Sequence, residues 1–259
     1  MRRRHTDSIP RRVHLNADVR TCRCQVLLRT HCHADDRVGG ADRCRLWLTG
    51  PGQVGHDWLV TDSGTAAYDH CVDLPPLVET AVRAARRAGF AHSCLPEQGR
   101  LLRTLAGGVG VGVIGETGTG CGVGLAWLAS GARPDVRIVS VERDRARAEI
   151  AAAVFAGDPR VRVRTGDWRE LALSAPFDLV VLDGGGQGKG TEPPLEPAEW
   201  LRLGGVVVLD DFAPMTSWPP VHEGQPDEAR MYWLNHPQLR AAEVKVTPAA
   251  ASIVATFVG

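Results

Sequence analysis

Hydrophobic positions in this chain change their rhythm near residue 73. Up to that point Arg, His, Cys and Asp dominate, Lys is absent, and neither a two-residue nor a 3.6-residue apolar period is sustained. Such a stretch has little to bury. Beyond it, apolar runs alternate with amphipathic ones. Pro75-Pro76 opens a helix whose apolar positions are Leu77, Val78, Ala81, Ala84 and Ala85, and a second helix is expected over 96–105. A strand over 109–116 follows, then a helix over 121–130, a strand over 137–142 and a helix over 143–155. Further strands are expected over 161–165, 177–183 and 205–211, with helices over 197–203 and 227–235. The last two apolar runs, 242–246 and 252–258, flank Thr247-Pro248 and are expected to pair as an antiparallel hairpin at the sheet edge. Alternation of this kind predicts an α/β fold: a doubly wound, mostly parallel seven-stranded sheet covered on both faces, with an antiparallel C-terminal hairpin. Ligands of such sheets sit at the carboxyl ends of the strands.

Those strand ends carry the candidate chemistry. The first runs Val113-Ile-Gly-Glu116-Thr-Gly118-Thr-Gly120-Cys-Gly122, a glycine turn between a strand and a helix. Without side chains there, the backbone can approach a ligand closely. The second strand ends at Glu142, placed to accept hydrogen bonds from ribose hydroxyls. The third ends in Asp167-Trp168, a carboxylate beside a flat apolar ring, and the fourth at Asp183. Two other glycine patterns fail on context. Gly110-Val-Gly112-Val-Ile-Gly115 matches a dinucleotide fingerprint but falls in the strand instead of opening the helix, which argues against an NAD-binding oxidoreductase. In the loop from Gly184 to Thr191, Gly190 stands where a phosphate-binding loop needs Ser or Thr after its lysine.

Taken in order, these strand ends resemble those of the class I S-adenosylmethionine-dependent methyltransferases, in particular the catechol- and caffeoyl-type O-methyltransferase branch. The resemblance covers residues 74–259 and includes Glu97-Gln98-Gly99-Arg-Leu-Leu, similar to the Glu-Gln-Gly stretch that precedes the first motif in that branch. It implies a Rossmann-like methyltransferase fold and S-adenosylmethionine as cofactor. Glu116, Gly118, Gly120 and Gly122 would line the methionine part, Glu142 would hold the ribose, Asp167 and Trp168 the adenine, and Asp183 would border the cofactor. In that branch a divalent cation, here Mg2+, is often held at the ends of the fourth and fifth strands, which implies Asp183, Asp210 and Asp211 as ligands; the alternative is that these carboxylates only cap strand ends or touch the cofactor. The metal-dependent relatives carry a lysine three residues after the first of these, whereas this chain has Gly186. Lys189, one of two lysines in the chain, and His222 are the candidate acceptor bases, with Asp183 as a third catalytic residue. Trp218 and Trp233 are candidates for the wall of an acceptor pocket.

The expected activity is O-methylation of a small hydroxylated acceptor. A non-catalytic cofactor-binding protein is the alternative that the missing lysine motivates. Net charge narrows the partners: 30 basic residues balance 30 acidic ones, so no global field draws in nucleic acid or an anionic membrane. No apolar run nears the roughly 18 residues of a membrane span. The expectation is a cytoplasmic protein acting on small molecules, with a homodimer left open. Residues 1–72 are expected to be a disordered segment or an extension foreign to the natural protein. Zinc binding by Cys22, Cys24, His31, Cys32, His33 and Cys44 is disfavoured, because Cys22-Arg-Cys24 is too tight for a zinc knuckle.

Overall fold

The computed structural model describes residues 63–259. The expectations for the preceding segment, disorder and the disfavoured zinc cluster from Cys22 to Cys44, lie outside the described residues. A short 3-10 helix, Ala66–His70, leads into α1 (Pro76–Arg87) and α2 (Pro96–Gly108). Both α-helices begin on proline, whose fixed φ and missing N–H suit a first helical turn. Next come β1 (Val113–Thr117), α3 (Val123–Gly131), β2 (Arg137–Glu142), α4 (Arg145–Val154) and β3 (Val161–Thr165). A second 3-10 helix, Trp168–Ser174, precedes β4 (Phe177–Leu182), α5 (Pro197–Trp200) and β5 (Leu201–Phe212). The chain closes with β6 (Val221–His222), β7 (Gln225–Pro226), α6 (Glu228–Asn235), β8 (Leu239–Lys245) and β9 (Ala251–Phe257).

Seven strands form one sheet in the order β3-β2-β1-β4-β5-β9-β8. The first five are parallel to their neighbours, and β9 runs antiparallel to both β5 and β8. Chain order reverses between β1 and β4, which opens a crevice at their carboxyl ends. Successive residues of a strand face opposite ways, so β4 sends Leu179 and Val181 to the core beneath α1, α2 and α3, and Val180 and Leu182 to the core on the other face. Trp127 and Trp233 each anchor one of these cores and are almost wholly buried; burying such a side chain stabilises by about 1.5–3 kcal/mol. Among the described residues, no helix is long and apolar enough to cross a membrane.

The structure departs from the sequence expectations at several places. Residues 197–203 were expected to be helical, yet α5 stops at Trp200 and Leu201 pairs with Phe177. Trp200 lies 6.0 Å from the Phe177 ring, and Gly205 runs so close to the Phe177 carbonyl that a Cβ would sit 2.7 Å from it. Tertiary packing therefore overrides the local helical pattern. The strand expected over 109–116 begins only at Val113: Gly110 to Gly112 form the approach to β1, with Val111 82% exposed and the Val113 N–H bound to the Asp178 carboxylate at 2.8 Å. The loop from Ala213 to Pro226, for which no element was expected, contains the hairpin β6–β7, whose Glu223-Gly224 turn uses positive φ at both residues, as a type I′ turn requires.

Packing also extends N-terminal to Leu74. Thr65 and Tyr68 are 5% and 3% exposed. The Tyr68 hydroxyl donates to the Cys94 carbonyl at 3.0 Å and accepts from the Trp127 indole N–H at 2.9 Å, tying residues 65–71 to α3 and to the segment before α2. Tyr68→Phe strands that indole donor in the core, and should lower unfolding free energy by about 1–3 kcal/mol. For a domain of this size, that moves the thermal midpoint down by roughly 2–4 °C per kcal/mol. A melting curve indistinguishable from wild type would show that residues 65–71 contribute nothing to the packed unit.

Candidate active site

A cleft of about 590 Å³ opens at the carboxyl ends of β1, β2, β4 and β5. Its floor is the glycine turn after β1. Gly118 takes φ +82° and donates to the Val141 carbonyl at 2.9 Å. It passes so close to Gly184 that a Cβ would lie 2.6 Å from the Gly184 Cα. The loops leaving β1 and β4 are therefore in backbone contact, which any side chain at either position would block. Gly122, at φ +91°, starts α3. The Gly120 N–H donates to one oxygen of Glu142 at 2.8 Å, and the Asp144 N–H to the other at 2.9 Å. This aims the Glu142 carboxylate and leaves lone pairs on both oxygens for further donors.

Glu116 lies deeper, 2% exposed. Ser140 Oγ donates to it at 2.6 Å, and Thr119 Oγ1 is 2.5 Å from Ser140 Oγ. With its own proton committed to Glu116, Ser140 accepts from Thr119. Burial pushes the Glu116 carboxyl up to about 8, opposed by the Ser140 hydrogen bond and helped by the nearby charge of Glu142. Asp167 caps the second 3-10 helix by accepting from the Arg169 N–H at 3.0 Å, and that bond is the main reason its pKa is lowered. Trp168 lines the cleft but is wedged in place. The Arg169 guanidinium lies 4.6 Å from its ring centre, Gly185 and Gly186 pack against the ring, and its indole N–H donates to Glu192 at 2.5 Å.

Across the cleft, carboxylate oxygens of Asp183, Asp210 and Asp211 lie within 4.8 Å of one another. Asp211 takes φ +61°, a left-handed conformation that a non-glycine residue adopts only when its surroundings impose it. Ser252 Oγ lies 3.2 Å from Asp210 and 2.6 Å from the Gln98 side-chain oxygen. Burial, then the Asp211 and Asp210 charges, raise the Asp183 pKa well above the carboxylate range. Burial and the Asp211 charge push Asp210 up to about 7. Three hard oxygen donors crowded so that they resist ionising together are a donor set that fits a divalent cation.

The glycine turn, Glu116, Glu142, Asp167, Trp168, Asp183, Asp210 and Asp211 thus come together around one cleft. The two candidate bases do not join them. The Lys189 ammonium donates to the backbone carbonyls of Asp210 and Asp211, at 2.7 and 2.9 Å, from behind the cluster. Burial lowers its pKa, against the opposing pull of Asp211 and Asp210. His222 lines a separate depression with Gly188, Gly190 and Asp227. Trp218 is 59% exposed and lines none of the cleft, and Trp233 is core, its indole N–H bound to the Gln187 carbonyl at 2.8 Å. The sequence reading missed Ser140 and Thr119, and also Phe90, His92, Ser93 and Cys94, which line the cleft from the segment between α1 and α2. Small polar and apolar residues on a loop carry no spacing signal of their own.

Residues 116–212 match the family described as Methyltransferase domain. Those residues run from β1 through β5, so the likeness to a methyltransferase domain covers the strands that border the cleft. A protein of Mycobacterium tuberculosis (strain H37Rv) named Catechol O-methyltransferase is 33% identical over 147 residues, which are 52% of this chain and 64% of that protein. A second protein of that strain, named a probable O-methyltransferase, is 33% identical over 129 residues, 46% of this chain and 56% of its own length. This chain's matches thus span less than two thirds of these curated relatives. Among solved structures, the O-methyltransferase of Bacillus cereus in complex with SAH aligns with a TM-score of 0.57 and 21% identity, covering 76% of this chain and 98% of that one. This likeness establishes the fold.

The raised Glu116 pKa has a testable sign. The native state holds this proton more tightly than the unfolded chain, so the stability it contributes is complete below about 4.5 and is lost as pH rises through about 8. Glu116→Gln cannot lose that proton. Its melting point relative to wild type should therefore climb between pH 5 and pH 8.5, by at least the roughly 2–4 °C that about 1 kcal/mol produces. A constant offset across that range would mean Glu116 ionises normally.

Proposed function

We propose that this methyltransferase domain binds S-adenosylmethionine in the cleft and transfers its methyl group to a hydroxyl of a small acceptor. The observation that carries this reading is the opposition, across one cleft, of the Gly118–Gly122 turn with its oriented Glu142 and the three-aspartate cluster. Glu142 would accept from both ribose hydroxyls with the lone pairs its backbone donors leave free. Asp167 and the edge of Trp168 would meet the adenine, and Glu116 with Gly118 the methionine portion. The names of the relatives and the SAH complex of the Bacillus cereus protein support the cofactor and the O-methyl chemistry. A cleft of about 590 Å³ is of small-molecule size.

Methyl transfer from sulfonium to oxygen is an in-line displacement, so most of the protein's contribution is alignment. Asp183, Asp210 and Asp211 would hold Mg2+, which when bound supplies Lewis-acid lowering of the acceptor hydroxyl's pKa. These carboxylates would orient the acceptor toward the cofactor, and the loop contact between Gly118 and Gly184 fixes the separation of the two half-sites. A second reading, cofactor binding without transfer, draws on Gly186 and on the engagement of Lys189 behind the cluster.

Calorimetry with S-adenosylmethionine should give saturable binding. In Glu142→Ala the affinity should fall at least about 100-fold, since two charge-assisted hydrogen bonds of about 1.5–3 kcal/mol each are lost. Undiminished binding in that variant would remove the assigned pose. With a catechol-like acceptor, turnover should stop on chelation and return with Mg2+; tight cofactor binding with no transfer to a broad panel of hydroxylated acceptors would favour the second reading.

A further inference from the structure

The carboxyl end of β5 presents a geometric difficulty. In a regular strand, consecutive side chains point to opposite faces and consecutive carbonyls point in opposite directions. Asp210 and Asp211 are consecutive, yet both carboxylates reach the same cluster. The pairing between β5 and β9 shows how. Leu209 faces Ile253 and Phe212 faces Ala251, so the register shifts where Asp210 and Asp211 lie. This β-bulge, with Asp211 at φ +61°, breaks the pleat and turns both carboxylates one way. The same break directs the carbonyls of Asp210 and Asp211 to a common point.

That point is filled from the glycine-rich loop after β4. Lys189 Nζ donates to the Asp210 carbonyl at 2.7 Å and the Asp211 carbonyl at 2.9 Å, and lies 4.2 Å from the centre of the Phe212 ring. Two residues earlier, the Gln187 amide donates to the Leu182 carbonyl at 2.5 Å and to the Asp210 carbonyl at 3.3 Å, bridging the ends of β4 and β5. The loop is itself tethered: Trp233 Nε1 donates to the Gln187 carbonyl at 2.8 Å, and the Leu195 N–H to the Gly186 carbonyl at 2.9 Å. Gln187 is 7% exposed, so its amide has no better use than these carbonyls.

We propose that Lys189 and Gln187 are positioning residues for the aspartate cluster: they hold the bulged end of β5 so that Asp210 and Asp211 face Asp183 together. The inference rests on the reading of the cluster as a divalent-cation site. It gives the lysine a role distinct from that of an acceptor base. Electrostatics alone makes the opposite prediction, because deleting a cation behind three carboxylates should tighten divalent-metal binding. The sign of the effect therefore separates geometry from charge.

The test uses the full chain, wild type and the variants Lys189→Met and Gln187→Leu, the second of which keeps the lysine charge and decides the matter should the first not fold. Three quantities are read: hydrogen exchange of backbone amides over 209–213 without metal, Mn2+ affinity, and SAH affinity by calorimetry. Both variants should exchange and release Mn2+ more readily, each by about 10-fold or more, as expected on losing hydrogen bonds to a charged or buried group. SAH affinity should stay near wild type. Unchanged exchange together with unchanged or tighter Mn2+ binding overturns the proposal, and so does loss of turnover alone, which would return Lys189 to the role of a base. Should wild type take up no Mn2+ while exchange in the variants still accelerates, the metal reading fails and the positioning role stands.

Discussion

Five acidic side chains, those of Glu116, Glu142, Asp183, Asp210 and Asp211, share the carboxyl end of one sheet, and seating that many in one cleft governs what is built around them. Each is compensated differently. Glu142 is met by two backbone N–H groups, which fix its aim. Glu116 has only a serine hydroxyl, and burial keeps its proton on well above the ordinary range. The three aspartates face one another, and burial together with their crowding raises the pKa values of Asp183 and Asp210. The contrast divides the cleft into a half where backbone N–H groups orient a carboxylate and a half where carboxylates crowd one another.

The scaffold behind the aspartates is itself polar. Arg230, 4% exposed, binds Asp227 at 3.0 Å, Glu243 at 2.6 Å and the Ala213 carbonyl at 2.9 Å. Glu243 also accepts from the Met215 N–H at 2.8 Å. This buried network joins α6 and β8 to the chain just after Asp211. Losing Arg230 would leave two buried carboxylates without their cation, and breaking a buried pair in this way costs about 3–5 kcal/mol. Lys189 and Arg230 approach the Phe212 ring, with cation-to-centroid distances of 4.2 and 4.9 Å. Phe212 thus couples the cluster's backbone clamp to the network beneath it.

Much of this was legible along the chain. The strands ending at Glu142 and Leu182 follow directly from apolar runs, as a parallel sheet buried on both faces demands, and the edge strand ending at Thr165 follows from its alternation of Val and Arg. The glycine turn and the order of acidic strand ends located the cleft. Less legible were the stretches whose conformation is set by distant partners. Residues 197–203 have a helical pattern, but Leu201 completes the ladder beside Phe177. Tyr68 sits in a sequence without apolar period and is buried all the same, because its hydroxyl serves Trp127 and Cys94, residues far along the chain.

By itself the sequence determined the α/β alternation, the chemistry available at each strand end and the absence of a lysine at position 186. Periodicity and residue type are local properties, and both survive without knowledge of neighbours. Only the tertiary structure decided which of the charged groups share a space: that Asp210 and Asp211 face the same way through a bulge, that Lys189 approaches them from behind, and that His222 lies elsewhere. These outcomes depend on φ at a single residue and on hydrogen bonds between loops remote in sequence. A one-residue shift in a strand's pleat reverses the direction of a side chain, so no reading of spacing alone could have assigned them.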